Sequence, residues 1–224
     1  MDLTLPSGTP ATAELVDDAA RGLVIVPDLW GLRPLFADMC RDLSRRTGWS
    51  VVAVEPFPGQ DLPGAEAADG FDARSVALRS TYDDRLLADA VAAAEVTGCE
   101  RVGLIGFCMG GMYALKGASV GRFDRVAGFY GMIRVPEAWS GPGQGHALHA
   151  VDGRPHHVEV MAVVGGVDAW TPPDDVEALE AAGATVLRYA DADHGFVHDA
   201  TRPAHRAEDA ADAWTRVLDF LAGG

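Results

Sequence analysis

The sequence predicts an α/β fold with a mainly parallel sheet that is flanked by helices on both faces. Short apolar runs recur along the chain, helix-like segments separate them, and the runs do not alternate apolar with polar residues. Runs without alternation are typical of strands that are covered on both faces. Because parallel strands need a crossover, the succession of strands and helices favours parallel pairing. We expect residues 1–224 to form one domain of this class.

Apolar runs, most of which end at glycine or proline, mark the predicted strands. These strands are Leu23–Val26, Val51–Val54, Val102–Ile105, Val126–Tyr130, Val158–Val164 and Thr185–Tyr189. Helical spacing and terminal signals predict helices at Leu35–Arg46, Asp83–Val96, Met109–Ser119, Asp174–Ala182 and Ala204–Leu221. The segment Gly141–Gly153 is rich in glycine and proline and is predicted to be a loop.

The charge and hydropathy of the sequence indicate which kinds of molecule the protein binds. The chain has 33 acidic against 18 basic residues, a formal net charge of −15, which disfavours nucleic acid and anionic membranes. No stretch is long and apolar enough to span a bilayer, and the first basic residue is Arg21, which argues against a secretory signal. We therefore expect a cytoplasmic protein that acts on a small molecule.

Cysteine and histidine spacing disfavours metal and redox roles. The cysteines are Cys40, Cys99 and Cys108, an odd set without the spacing of a disulfide framework, a zinc ribbon or a redox pair. His146 and His149 could suggest a metal site, but no further ligand completes a familiar set. Dinucleotide and phosphate-loop motifs are absent from the sequence. We expect no metal and no cofactor.

The sequence Gly106-Phe-Cys108-Met-Gly110 lies between a predicted strand and a predicted helix. This arrangement has the form of a nucleophile elbow, with cysteine in place of serine. The helix N-terminus favours a thiolate at Cys108, and the backbone N–H of Met109 could donate to an oxyanion. The alternative interpretation is a buried structural cysteine beside a glycine-rich turn. The flanking strand and helix favour the nucleophile.

An acid and a histidine follow in the chain order of an α/β-hydrolase. Asp168 comes just after a predicted strand, and His194 lies between the last strand and the last helix. Both positions suit a site at the carboxyl edge of a parallel sheet. Asp168 could instead cap the following helix, and His194 could be a surface residue. Asp191 and Asp193 are rivals as the acid, although they are very close to His194 in sequence.

These motifs resemble the dienelactone hydrolase family (carboxymethylenebutenolidase-like, α/β-hydrolase superfamily). The resemblance rests on Gly106-x-Cys108-x-Gly110-Gly111, Gly165-Gly166-x-Asp168 and His194-Gly-Phe, and it extends from about Leu23 to the C-terminus. It implies an α/β-hydrolase fold, a monomer and hydrolysis of a lactone or small ester, with a role in aromatic degradation. Cys108, Asp168 and His194 would form a catalytic triad that acts through a thioester.

The resemblance also implies further site residues. Leu29 would supply the second oxyanion N–H, and Asp28 would stand where the family commonly has a glutamate that interacts with the resting nucleophile. A turn or capping role is the alternative for Asp28. Arginines hold the substrate carboxylate in family members, and the substrate-binding candidates here are Trp30, Arg74, Arg79, His198 and Arg202. Tyr82, Phe107, Tyr130 and Trp170 could line an apolar pocket, although a core role is the default.

A protein that retains the hydrolase fold but only binds small molecules is the competing hypothesis. The departures from the family at Asp28 and His198 motivate it. It predicts saturable ligand binding without turnover.

Overall fold

The six predicted apolar runs form six strands of one eight-stranded sheet in the computed structural model, which describes residues 1–223. The strands are β1 Asp2–Thr4, β2 Pro10–Glu14, β3 Gly22–Val26, β4 Ser50–Val54, β5 Val102–Phe107, β6 Arg125–Phe129, β7 Glu159–Gly165 and β8 Thr185–Tyr189. Their order in the sheet is β1-β2-β4-β3-β5-β6-β7-β8. The strands from β3 onward pair in parallel, and β1 and β2 pair antiparallel. The predicted fold class is confirmed.

Seven helices connect and cover the strands within the described part of the chain. They are α1 Pro34–Thr47, α2 Gly70–Arg79, α3 Asp83–Val96, α4 Met109–Lys116, α5 Ala147–Asp152, α6 Pro173–Ala181 and α7 Ala207–Ala222. Short 3-10 helices span Gly117–Val120 and Glu137–Trp139.

The sheet has an apolar core on each face. Alternate residues of β3 show this division, since Leu23 and Ile25 pack with α1 and α7, whereas Val24 and Val26 pack with α3 to α6. Because both faces are covered, the central strands β3 to β5 are buried at every residue. This explains why the sequences of these strands are continuous apolar runs.

Three segments differ from the prediction. The antiparallel strands β1 and β2 were not predicted, because Pro10–Glu14 begins with proline and otherwise contains only two apolar side chains, those of Ala11 and Ala13. Helix α2 was also not predicted, since Gly70–Arg79 begins with glycine and shows weak helical periodicity. Helix α5 lies inside the predicted loop Gly141–Gly153, where the six residues of Ala147–Asp152 make less than two turns.

Candidate active site

Cys108 lies at the carboxyl end of β5, at the point where the strand turns into α4. Its backbone has φ 56° and ψ −120°, a conformation that non-glycine residues rarely adopt. The N–H of Cys108 donates to the carbonyl of Phe129 on β6 at 3.0 Å, which holds the turn against the neighbouring strand. The side chain of Cys108 is half-buried and faces a cleft.

Glycines on either side make this turn possible. A Cβ atom at Gly106 would lie 2.0 Å from the carbonyl oxygen of Gly110, and one at Gly110 would lie 2.1 Å from the carbonyl oxygen of Val26. Both contacts are with backbone, which cannot move aside easily. The two glycines therefore let strand, turn and helix approach closely enough to form the elbow.

Asp168 and His194 meet at the carboxyl edge of the sheet. Asp168 follows β7, and its Oδ2 lies 2.9 Å from Nδ1 of His194. The other carboxylate oxygen accepts the N–H of Trp170 at 2.8 Å, which orients the buried side chain. Asp193 instead accepts the backbone N–H of His194 at 2.7 Å. Of the candidate acids, Asp168 is thus the one that contacts the imidazole.

The surroundings of His194 favour its protonated form. Burial lowers the pKa of His194, but the negative charge of Cys108 and the hydrogen bond with Asp168 act in the opposite direction and outweigh it. The result is a pKa raised from 6.5 to about 10. An imidazolium at this position can stabilise a thiolate and deliver a proton to a leaving group.

The potential oxyanion donors are two backbone N–H groups, one next to Cys108 in sequence and one in a turn that lines the cleft. Met109 is the first residue of α4, and Leu29 lies in the turn after β3. Neither N–H donates to a backbone or side-chain acceptor within residues 1–223. Free donors at these two places are what the stabilisation of a tetrahedral oxyanion requires.

Asp28 lines the same cleft as Cys108 but forms no hydrogen bond with it within residues 1–223, and its role as a nucleophile-modulating residue stays a prediction. Its buried carboxylate binds the guanidinium of Arg33 through two contacts of 2.6 and 2.9 Å and lies 2.8 Å from Nε2 of His198. It also accepts the N–H of Trp30 at 3.0 Å. These partners fix the carboxylate of Asp28, which through the Trp30 N–H helps to order the turn that carries Leu29.

His198 is equally sequestered, contrary to its expected role in substrate binding. Its side chain is fully buried between Asp28 and the hydroxyl of Tyr130, with which Nδ1 forms a short hydrogen bond. Burial lowers the pKa of His198, and the opposing effect of Asp28 does not cancel this. A neutral imidazole donates Nε2–H to Asp28 and accepts the Tyr130 hydroxyl at Nδ1.

The candidate arginines differ in what they can reach. Arg74 is buried and donates to the carbonyls of Pro63, Leu29 and Leu62, so its guanidinium is not available to a substrate. Arg79 donates to the carbonyl of Ala138 at 2.6 Å and lines a separate surface depression. Helix α2 directs both of these side chains elsewhere.

Arg202 is the candidate arginine that reaches the cleft. Its guanidinium packs against Gly195, where an added Cβ would lie 2.5 Å from Nη1. Within residues 1–223 it forms no ion pair and no side-chain hydrogen bond. A cation without a protein partner beside His194 is suited to an anionic substituent on a ligand.

The cleft that contains these groups has a volume of about 530 Å³. Cys108, His194, Arg202 and the Asp28–Trp30 turn line one part of it. Its aromatic residues are Trp30, Phe71, Trp139 and Trp170. Trp30 and Trp170 were among the sequence candidates, whereas Phe71 and Trp139 were missed because the elements that carry them were not predicted. Tyr82 is exposed outside this cleft, and Phe107 packs in the core.

Neither a metal cluster nor a membrane-spanning helix is found in the part of the chain that the structure describes. No group of three or more His, Cys, Asp or Glu side chains there could hold a metal ion. No helix among residues 1–223 is long and apolar enough to cross a membrane.

A nucleophile elbow after the fifth strand, with an acid and a histidine at the carboxyl edge of the same sheet, defines an α/β-hydrolase. Comparison with known proteins narrows this class. The model of the dienelactone hydrolase family matches residues 9–223, and the chain belongs to this family. It is a hydrolase.

Individual relatives agree with this assignment. The carboxymethylenebutenolidase of Rhodococcus opacus is 27% identical over 89% of this chain and 79% of its own length. A Synechocystis protein provisionally assigned the same activity is 29% identical over 89% of this chain and 84% of its own. A solved structure from Klebsiella pneumoniae, provisionally assigned as a dienelactone hydrolase, superposes with a TM-score of 0.84 at 24% sequence identity. The match covers 99% of this chain and 97% of the Klebsiella chain, and it supports the fold.

Proposed function

We propose that the protein hydrolyses lactones or small esters through a thioester on Cys108. One observation carries the proposal: Cys108 at a strained elbow shares its cleft with the Asp168–His194 pair, which has a 2.9 Å contact. Family membership supports the same reaction class, and the named activity of the Rhodococcus relative is cleavage of a butenolide-type lactone.

The mechanism follows from the roles of these residues. The proton of the Cys108 thiol passes to His194, which gives the thiolate–imidazolium pair that the raised pKa of His194 favours, and the sulfur attacks the carbonyl carbon to form a tetrahedral oxyanion. The N–H groups of Leu29 and Met109 stabilise the negative oxygen. The C–O bond then breaks, the leaving oxygen takes the proton from His194, and the thioester remains. In a lactone both parts of the substrate stay on one acyl chain.

Water completes the reaction. His194 removes a proton from water, the hydroxide attacks the thioester carbon, and the carbon–sulfur bond breaks. Cys108 leaves as a thiolate, which restores its ion pair with protonated His194. Asp168 keeps the imidazole oriented throughout, because its carboxylate is itself fixed by the N–H of Trp170.

The substrate is proposed to carry an anionic group, in keeping with the family's carboxylated lactones. Arg202 is the binding residue for it, because its guanidinium lines the cleft without a protein partner in residues 1–223. Trp30 contributes an apolar surface beside the Leu29 turn. Arg74 takes part indirectly, through its hydrogen bond to the Leu29 carbonyl. We expect Arg202→Met to raise KM for carboxylated lactones and to leave KM for uncharged esters nearly unchanged.

The binding-protein hypothesis receives no support from Asp28 and His198. The side chains of these two residues form a hydrogen bond with each other, and neither blocks the cleft that Cys108 lines.

Two variants of the nucleophile test the proposed function. Cys108→Ala should abolish hydrolysis of dienelactones and activated esters while thermal unfolding stays close to that of the wild type. Mass spectrometry after rapid acid quenching should detect an acyl group on Cys108 of the wild-type protein. Turnover by the alanine variant would exclude Cys108 as nucleophile. Saturable binding with neither turnover nor an acyl adduct in the wild type would favour the non-catalytic alternative. Cytoplasmic location and a monomeric state stay predictions.

A further inference from the structure

One wall of the cleft is built from three aromatic rings on separate elements. Phe71 is on α2, Trp139 is in the 3-10 helix Glu137–Trp139, and Trp170 is in the loop after β7. The two indole rings stack with centroids 5.1 Å apart and an angle of 21° between planes. Phe71 lies 6.3 Å from Trp139 and 6.5 Å from Trp170, in tilted geometry.

The three rings differ in how much they contribute to the core. Trp139 is buried, with 1% of its surface exposed, and its indole N–H donates to the hydroxyl of Ser75 at 3.1 Å. Phe71 and Trp170 are 44% and 36% exposed, and both border the cleft. Trp139 therefore supports the wall from behind. The outer two rings leave aromatic surface open to the cleft, where a ligand can cover it.

The position of Trp170 indicates which part of a substrate meets this wall. Its ring centroid is 6.3 Å from that of His194. His194 handles the proton of the leaving oxygen in the proposed reaction, so the group attached to that oxygen lies beside His194. A group attached there extends toward Trp170 and Phe71.

We propose that Phe71 and Trp170 form a subsite for a planar aromatic group on the leaving-oxygen side of the substrate. This inference rests on the proposed hydrolytic function of Cys108 and specifies its substrate class: arylmethyl esters and lactones fused to an aromatic ring. Aromatic pairs favour offset or edge-to-face contacts with centroids about 4.5–7 Å apart. Such contacts add about two- to twelve-fold in binding beyond the burial of equal apolar area.

Two esters of the same acid test the subsite. Benzyl acetate and cyclohexylmethyl acetate share their acyl group and have rings of similar size, and only the first ring is planar and aromatic. We expect wild-type kcat/KM to favour benzyl acetate by about three- to ten-fold after correction for the rates of alkaline hydrolysis. In Phe71→Leu and Trp170→Leu, which keep an apolar side chain without a ring, this ratio should fall toward one.

Tyr82→Leu is the matched control. It removes a ring that is 58% exposed but lies outside the cleft, so the ratio should equal that of the wild type. Thermal unfolding of each variant monitors the fold. A wild-type ratio near one would overturn the subsite. An equal loss of activity on both esters in the Phe71 and Trp170 variants would do the same, because a purely structural role affects both substrates alike.

Failure of the proposed function has a separate signature, the absence of hydrolysis of any ester by the wild type. The subsite is then tested by equilibrium binding of benzyl alcohol and cyclohexylmethanol. Tighter binding of benzyl alcohol, lost in Phe71→Leu, would support the subsite, and equal binding of the two alcohols would overturn it.

Discussion

The carboxylate of Asp28 lies 2.8 Å from Nε2 of His198, and this buried contact joins the turn that carries Leu29 to the loop that carries His194. Arg33 completes the group with two contacts to the same carboxylate. Burial raises the pKa of Asp28, but the hydrogen bonds and charges of His198 and Arg33 outweigh it and hold the pKa well below its usual range. The ionised form of Asp28 is therefore part of the folded state.

Removing the charge of Asp28 should destabilise the protein. We expect Asp28→Asn to lower the free energy of unfolding by about 3 kcal/mol at pH 7, because it leaves Arg33 without its buried anion. Urea denaturation measures this change. Asp38→Asn is the control, since its ion pair with Arg41 is exposed and should contribute less than about 1 kcal/mol. Equal stability of the two variants would contradict the structural role of Asp28.

The same group of residues predicts loss of stability in acid. The folded-state pKa of Asp28 is depressed, so its contribution is present above its ordinary value of 3.8 and is lost as the pH falls through the folded value. The pKa of His198 is also depressed, so the unfolded chain takes up a proton first as the pH falls below 6.5. The free energy of unfolding of the wild type should therefore fall from pH 7 to pH 3. A free energy of unfolding that stays constant over this range would argue against ionised Asp28.

The contact between Asp168 and His194 predicts a large effect on catalysis. Asp168→Asn should lower kcat by about 10³–10⁴-fold, because an amide favours the wrong tautomer of the imidazole. Steady-state kinetics on an activated ester measures the effect. Asp191→Asn is the control, since Asp191 is exposed and contributes no side-chain hydrogen bond within residues 1–223. Comparable losses in both variants would contradict the assignment of Asp168 as the orienting acid.

The raised pKa of His194 can be observed directly. Its Cε1 proton in the NMR spectrum should titrate with a midpoint near 10 in the wild type. In Cys108→Ala the midpoint should move downward, because the negative charge of Cys108 is one cause of the shift. Since the folded-state pKa is raised, protonated His194 makes its full contribution to the free energy of unfolding below pH 6.5, and this contribution is lost as the pH rises through about 10. An unchanged midpoint in the alanine variant would show that the two residues do not interact.

Arg74 should affect turnover without touching substrate. Its guanidinium donates to the Leu29 carbonyl at 3.1 Å, so Arg74→Met should loosen the turn that carries an oxyanion donor. We expect kcat to fall by about 10- to 100-fold with little change in KM. Arg85→Met, which removes a solvent-exposed arginine on α3, should stay within about twofold of the wild type. A selective increase in KM would instead place Arg74 in substrate binding.

The central sheet was predictable because each core strand is a local apolar run. The meeting of Cys108, Asp168 and His194 was predictable as well, since each follows a strand and parallel strands end at one edge. The role of Arg74 was not, because it depends on a contact across 45 residues between α2 and the Leu29 turn. The partnership of Asp28 with Arg33 and His198 likewise needs the packed structure, although Arg33 lies only five residues from Asp28.

The elbow has a consequence for the evolution of the nucleophile. Its backbone depends on the missing Cβ atoms of Gly106 and Gly110 and on the hydrogen bond from the N–H of residue 108, and none of these involves the sulfur atom. Serine differs from cysteine by that one atom, so the main chain is compatible with either residue. A change of cysteine to serine would therefore replace the thioester intermediate by an oxygen ester, while the backbone of the elbow stays the same. The flanking glycines, and not the sulfur atom, are what the geometry of the elbow requires.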